Sequence, residues 1–253
     1  MKPTLKYIFI LVGVLLVLAY LFFSLHDLSE KSNQKVCKKL VIELADSAKI
    51  QLLREADIAV MLELRDLNPV GKALKHIRTE SIEDELRKNP MVKEAECYKT
   101  PSGIVHVRIV QRRPKFRVMG MESYYVDVDR KRLPISLNYA AYVPIVSGRV
   151  TKSMATSKLF DFVTFLEDNP FWNAQIEQIF VRDDQKIELV PRVGDAIIVL
   201  GTLKDYDIKL EKLRRLYVGG FNVIGWNRYK IIDLQYKDQV VCTKVDQLSE
   251  LIK

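Results

Sequence analysis

ESIEDELRKNPMVKEAECYKTPSGIVHVRIVQ, residues 80–111, carries three structural elements and the signals that separate them. Glu80 to Lys88 sets Ile82 and Leu86 on one side of a helix and puts acids near its start, where they complement the helix dipole. Asn89-Pro90 ends that helix, because proline pushes the residue before it out of the helical region. Two strands follow, Met91 to Tyr98 and Ile104 to Gln111. In the second, Val105, Val107 and Ile109 alternate with His106 and Arg108, the two-residue period of a half-buried strand. Thr100-Pro101-Ser102-Gly103 between them is turn chemistry, so the pair reads as a hairpin.

Upstream, Leu40-Val41-Ile42-Glu43-Leu44 is rich in β-branched and apolar residues and reads as a strand. Glu55 to Leu64 has Ile58, Met61 and Leu62 at the spacing of one buried helix face. Asn68-Pro69 and Gly71 make residues 65–78 a loop. The order β-α-α-β-β occupies about 75 residues, the size of a small independent module, and its expected bounds are 36–113. Residues 26–35 are polar and lack apolar periodicity, which is the composition of a tether.

Before the tether, Tyr7 to Leu25 is an uncharged apolar run of 19 residues. As a helix it reaches roughly 28 Å, enough to span hydrocarbon, and its Leu, Ile, Phe and Val residues each favour insertion by roughly 0.3 to 0.6 kcal/mol. Tyr20, Leu21, Phe22 and Phe23 continue the bulk past Ala19 where a cleaved signal would show small residues, so residues 7–25 are expected to stay as a single transmembrane anchor. Lys2, Lys6 and the amino terminus precede the span, while His26, Asp27, Glu30 and Lys31 after it nearly cancel. The positive-inside rule then leaves the head, residues 1–6, in the cytoplasm and everything past position 25 outside.

Past the hairpin, Pro114 reads as a hinge into residues 114–253, which are richer in strands. Tyr124 to Val128, Val143 to Val146, Ile176 to Val181, Lys186 to Val190, Ala196 to Leu200, Tyr229 to Tyr236 and Gln239 to Thr243 are short runs bounded by turn residues. Two helices interrupt them: Ser157 to Glu167, with Leu159, Phe162, Val163 and Leu166 on one face, and Lys204 to Tyr217, with Thr202 and Asp205 in capping-box spacing. The expected class is α+β: a transmembrane helix, the small module, and a mainly antiparallel β domain with two helices.

The charge of +8 suits nucleic acid, anionic lipid or an acidic partner. Orientation excludes the first, because the basic run Gln111-Arg112-Arg113-Pro114-Lys115-Phe116-Arg117 falls outside the cytoplasm. That run reads as a solvated strand end or a face near lipid headgroups. His26, His76 and His106 are scattered, Asp127-Asp129 and Asp183-Asp184 read as turn-forming and solubilising acids, and no phosphate-binding glycine loop occurs. Cys37, Cys97 and Cys242 lie outside metal-ligand or CxxC spacing and read as small buried hydrophobes. No metal, cofactor or enzymatic activity is therefore expected.

The chain resembles the bacterial division family FtsQ/DivIB over nearly its whole length. Ser81-Ile82-Glu83, Leu86, Asn89-Pro90-Met91-Val92 and Ala95, then Gly103, Val105, Val107 and Gln111-Arg112-Arg113-Pro114, resemble the family's POTRA module. Tyr124-Tyr125-Val126-Asp127 and Leu133-Pro134 resemble a later segment, with Arg130-Lys131 where the family often has glycine. Gly225-Trp226, Tyr229 and Ile231 to Val241 resemble its closing hairpin. The resemblance implies a non-enzymatic divisome scaffold in the cell inner membrane, single-pass, with periplasmic domains at the division septum. Its implied partners are the coiled-coil proteins FtsL and FtsB and, through them, the septal peptidoglycan synthase. It also implies strand addition at the edge of the last sheet. Gln239 to Thr243 is followed only by residues 244–253, so an edge with unpaired backbone groups is expected there. By position, Tyr236, Gln239, Val240, Val241 and Cys242 are the expected partner contacts. Two other readings compete: a POTRA-bearing component of secretion or envelope assembly, which should carry a β-barrel or repeated modules, and a membrane-anchored cell-wall enzyme, which should show catalytic groups.

Overall fold

A computed structural model describes residues 12–22, 35–45, 52–135, 140–221, 223 and 225–245. The chain divides into two compact units, residues 1–111 and 112–253. Of the expected span, residues 12–22 are helical (α1), with Leu16 and Phe22 among their exposed side chains. Residues 7–11 and 23–25 lie outside the described residues. Among the described residues, no helix is long and apolar enough to cross a membrane.

The rest of the first unit runs β1 (Lys39–Leu44), α2 (Glu55–Leu64), α3 (Thr79–Arg87), β2 (Val92–Lys99) and β3 (Ile104–Gln111). Its sheet has the order β1-β3-β2, with β1 parallel and β2 antiparallel to the central strand. Periodicity explains the packing: Ile58 and Leu62 of α2 and Ile82 and Leu86 of α3 are buried together with Ala95, Val105, Val107 and Ile109. Gly103 closes the hairpin with φ +89°, a conformation that favours glycine. The loop between the helices contains a single 3₁₀ turn, Leu74–His76.

The second unit runs β4 (Pro114–Met119), β5 (Tyr124–Asp127), β6 (Arg132–Pro134), β7 (Ile145–Gly148), α4 (Lys152–Thr156), α5 (Lys158–Asp168), α6 (Pro170–Gln175), β8 (Ile176–Val181), β9 (Ile187–Pro191), β10 (Ile197–Gly201), α7 (Tyr206–Leu216), β11 (Tyr229–Asp233) and β12 (Val241–Lys244). All nine strands form one sheet in the order β12-β11-β10-β9-β8-β7-β4-β5-β6. Leu159, Phe162, Val163, Leu166, Trp172, Leu210 and Leu213 from the helices join the inward residues of the strands in one buried cluster.

Several expectations are corrected here. Antiparallel pairs predominate, as expected, but three of the eight strand pairings among the described residues are parallel (β4 with β7, β7 with β8, β10 with β11). Among the described residues of this unit four α-helices occur where two were expected. Asn169-Pro170 does end α5, but Asn169 then accepts from the Phe171 and Trp172 amides and caps α6, with proline in the first turn where its missing N–H costs nothing. Thr202 does not cap α7; its N-cap is Asp205, held at φ 52° without a side-chain cap bond.

The largest revision concerns the basic run. Pro114, expected as a hinge, is the buried first residue of β4, a position where a strand tolerates proline. Phe116 and Val118 point into the core between Lys115 and Arg117, whose charges hid the alternation. Arg112 and Lys115 are not solvated: their side chains are 17% and 11% exposed, and they pair with Asp127 and Glu167. Asp127, expected to solubilise, is fully buried. Its carboxylate accepts from Arg112 Nη1 at 2.9 Å and from the amides of Asp129 at 2.9 Å and Lys131 at 2.6 Å. It forms the turn, as a turn-forming acid should, from inside the protein. Arg130 keeps the left-handed conformation, φ 62°, with its guanidinium 4.2 Å from the Phe160 ring centre and 2.6 Å from Asp161 Oδ1.

Candidate partner-docking edge

Among the described residues two sheets present four edges, and an edge carries unpaired backbone groups unless something meets them. In the first unit, the leading end of β1 is already met: Cys37 N donates to Lys72 O and Gly71 N to Cys37 O, both at 2.9 Å. Beyond it stand the exposed charges Lys39 and Glu43, which deter pairing. At β2, Cys97 N–H donates to Glu83 Oε1 at 2.8 Å and Arg87 Nη2 donates to Ala95 O at 3.0 Å. In the second unit, β6 is three residues long and ends in Pro134, both features that blunt an edge.

The Glu83 bonds carry a pH signature. Donation from the Cys97 amide, and secondarily from Arg87, holds the Glu83 carboxyl below the ordinary glutamate range. A depressed folded value means stability that is present above the unfolded value, about 4.3, and lost as pH falls through the folded one. Acidification below about pH 4.3 is therefore expected to loosen the small unit, and Glu83→Gln should flatten that part of its stability profile in urea titrations at stepped pH.

The fourth edge is β12. It pairs antiparallel with β11, Ile231 opposite Thr243 and Asp233 opposite Val241, and no strand lies outside it among the described residues. The direction of its free groups follows from alternation. Leu234 N donates to Val199 O at 2.9 Å, so the even residues of β11 face β10 and the odd ones face β12. Val241 and Thr243 then turn their backbone groups inward, as does Val245, whose amide donates to Arg228 O at 3.2 Å. Cys242 and Lys244 turn theirs outward.

Side chains alternate in the orthogonal sense. Val240 and Cys242 pack against the core cluster, while Val241 (38% exposed) and Val245 (49%) face out. Burial pushes the Cys242 thiol up, so it stays protonated and acts as a small hydrophobe. The edge is rigidly placed: Tyr217, Phe221, Trp226 and Tyr229 pack ring to ring at the entry to β11, with Tyr217 and Trp226 5.0 Å apart. The β11–β12 loop is pinned by Lys212 of α7, which donates to Tyr236 O at 2.6 Å and Lys237 O at 3.1 Å.

Of the five expected contacts, Val241 and Cys242 lie on the edge strand and Val240 immediately before it. Tyr236, half exposed, and Gln239, exposed, stand in the loop instead. Sequence reading missed Lys244, which simple two-residue counting from Cys242 would have reached, and Lys212, for which no sequence signal exists. Elsewhere a cleft of about 1130 Å³ opens at the carboxyl ends of β4, β7 and β8. Its rim charges neutralise one another, Lys152 with Glu122 at 2.9 Å and Arg149 with Asp183 at 3.6 Å.

Comparison with known proteins bears on both units. The family model described as FtsQ/DivIB, C-terminal related, matches residues 113–243, and that of a POTRA-like domain matches residues 35–110. Among characterised proteins, Cell division protein FtsQ of Geotalea daltonii is 22% identical over 215 residues, 81% of this chain and 76% of that protein. The first match alone spans more than half of the 253 residues and takes in all of the large sheet but Lys244, and on that ground the chain belongs to the FtsQ/DivIB family.

Proposed function

We propose that this chain is a non-catalytic scaffold of the division machinery that recruits its partners by backbone pairing at β12. The supporting observation is the edge itself: β12 ends its sheet with the backbone groups of Cys242 and Lys244 turned outward, while β2 and β6 are capped or blunted and β1 is partly covered and charged. An extended partner segment completes the ladder, and the exposed Val241 and Val245 give it apolar purchase on the outer face.

The partners are FtsL- and FtsB-type coiled-coil proteins, which link the scaffold to septal peptidoglycan synthesis. Tyr236, Gln239, Val240, Val241 and Cys242 are the contact residues proposed for them. Residues 7–25 anchor the chain in the cell inner membrane as a single span, with residues 1–6 cytoplasmic and residues 36–113 and 114–253 forming the two periplasmic domains.

Depletion tests the role, and affinity purification from membranes tests the partners. Long undivided cells and co-isolation of two small single-span coiled-coil proteins are the expected results. Normal septation on depletion refutes the scaffold role, and hydrolase activity of the purified chain on cell-wall material refutes its being non-catalytic.

A further inference from the structure

The contacts at β2 form a more specific object than a covered edge. Thr100 N donates to Ile104 O across the hairpin at 2.9 Å, so the even residues of β2 face β3. Ala95, Cys97 and Lys99 therefore turn their backbone groups away from the sheet. Glu83 accepts from Cys97 N–H, Arg87 donates to Ala95 C=O, and the two side chains join each other at 2.8 Å, one helical turn apart on α3. In a parallel ladder, a single residue of an incoming strand makes this same pair of bonds, accepting from one residue and donating to the residue two positions before it. The ion pair thus supplies the acceptor and the donor of one strand residue that is not there.

We infer that Glu83 and Arg87 act as a guard, a surrogate strand residue that closes the β2 edge, and that what it keeps out is the β2 edge of a second copy of this chain. The sequence of β2 is self-complementary about Cys97. Two copies meeting antiparallel around a twofold axis there set Cys97 against Cys97 and Ala95 against Lys99, using all three outward residues with no like charges opposed. The guard holds one group at each of two successive outward positions, so neither Ala95 nor Cys97 can complete its exchange of bonds while it stands. The Cys97 amide also holds the Glu83 carboxyl in its ionised form, which favours the closed state near neutral pH. This inference stands independently of β12.

The test uses the full chain carrying E83A/R87A, which leaves the core residues Ile82 and Leu86 of α3 untouched. Sedimentation over a concentration series is expected to show dimers at concentrations at least about tenfold below those of the native chain. Amide exchange at Ala95, Cys97 and Lys99 should slow as the dimer forms. E83Q keeps an acceptor carbonyl and should sediment as the native chain does. A folded double variant with native sedimentation overturns the guard, and so does a dimer in which those three amides exchange as fast as in the monomer. Should the double variant fail to fold, R87A alone frees the Ala95 carbonyl: a smaller shift in the same direction supports the guard, and native sedimentation overturns it.

Discussion

Cys242→Pro is expected to leave the chain folded while weakening its hold on the partner proteins about 100-fold, roughly 2.7 kcal/mol. Proline removes one N–H and places ring atoms where that group pointed. At Cys242 the group points away from β11, so no bond of the native ladder is lost, and edge strands tolerate proline on that side. An incoming strand loses both a donor and its line of approach. One residue on, Thr243→Pro removes an inward N–H from the Ile231–Thr243 pair and should detach β12 altogether. Binding assays on chains of verified melting temperature separate the two effects. Cys242→Ser, which keeps the backbone group, should bind as the native chain does. Retained affinity in a folded Cys242→Pro chain removes the backbone ladder from the account.

The second large effect is expected at Asp127→Ala, a loss of about 3 to 5 kcal/mol of stability in the large unit. The substitution strips the main counter-charge from Arg112, 17% exposed, whose other acid, Asp129, lies 3.7 Å away with its side chain 40% exposed. It also leaves the amides of Asp129 and Lys131 without the carboxylate they donate to. Each unmet group costs about 1 to 3 kcal/mol, and an uncompensated guanidinium costs more. Both tryptophans, Trp172 and Trp226, belong to this unit, so their fluorescence in urea reports its unfolding directly. Asp183→Ala, at an exposed ion pair with Arg149, should change the same midpoint by less than about 0.5 kcal/mol.

Where one period and one boundary signal coincided, the sequence read cleanly. Glu55–Leu64, Ile104–Gln111 and Ile176–Val181 occur with the bounds expected for them. The ends of β11 and β12 drifted because Leu234-Gln235-Tyr236 and Gln239-Val240 are as strand-like in composition as the strands they adjoin, yet they form the loop that Lys212 holds. The misreadings of β4 and of Asp127 share one physical origin. Lys115 and Arg117 alternate with the core residues of β4 and mask its period, and Asp127 reads as a solubilising acid. Both follow from ion pairs, Lys115 with Glu167 and Arg112 with Asp127, whose partners are distant in sequence. A charge is read as solvated until the fold brings its partner. Val241–Lys244 ends its sheet among the described residues, and which of its backbone groups face out depends on the Leu234–Val199 bond, which no local pattern encodes.

Amide exchange at two positions tests the backbone-pairing claim most directly. In the isolated chain the amides of Cys242 and Lys244 should exchange fast while those of Val241 and Thr243 are protected. In the complex with the coiled-coil partners co-isolated from membranes, Cys242 and Lys244 should slow at least about 100-fold, the protection that a stable ladder confers. If both amides still exchange at their free rates in that complex, the partners bind elsewhere and β12 is not the docking edge.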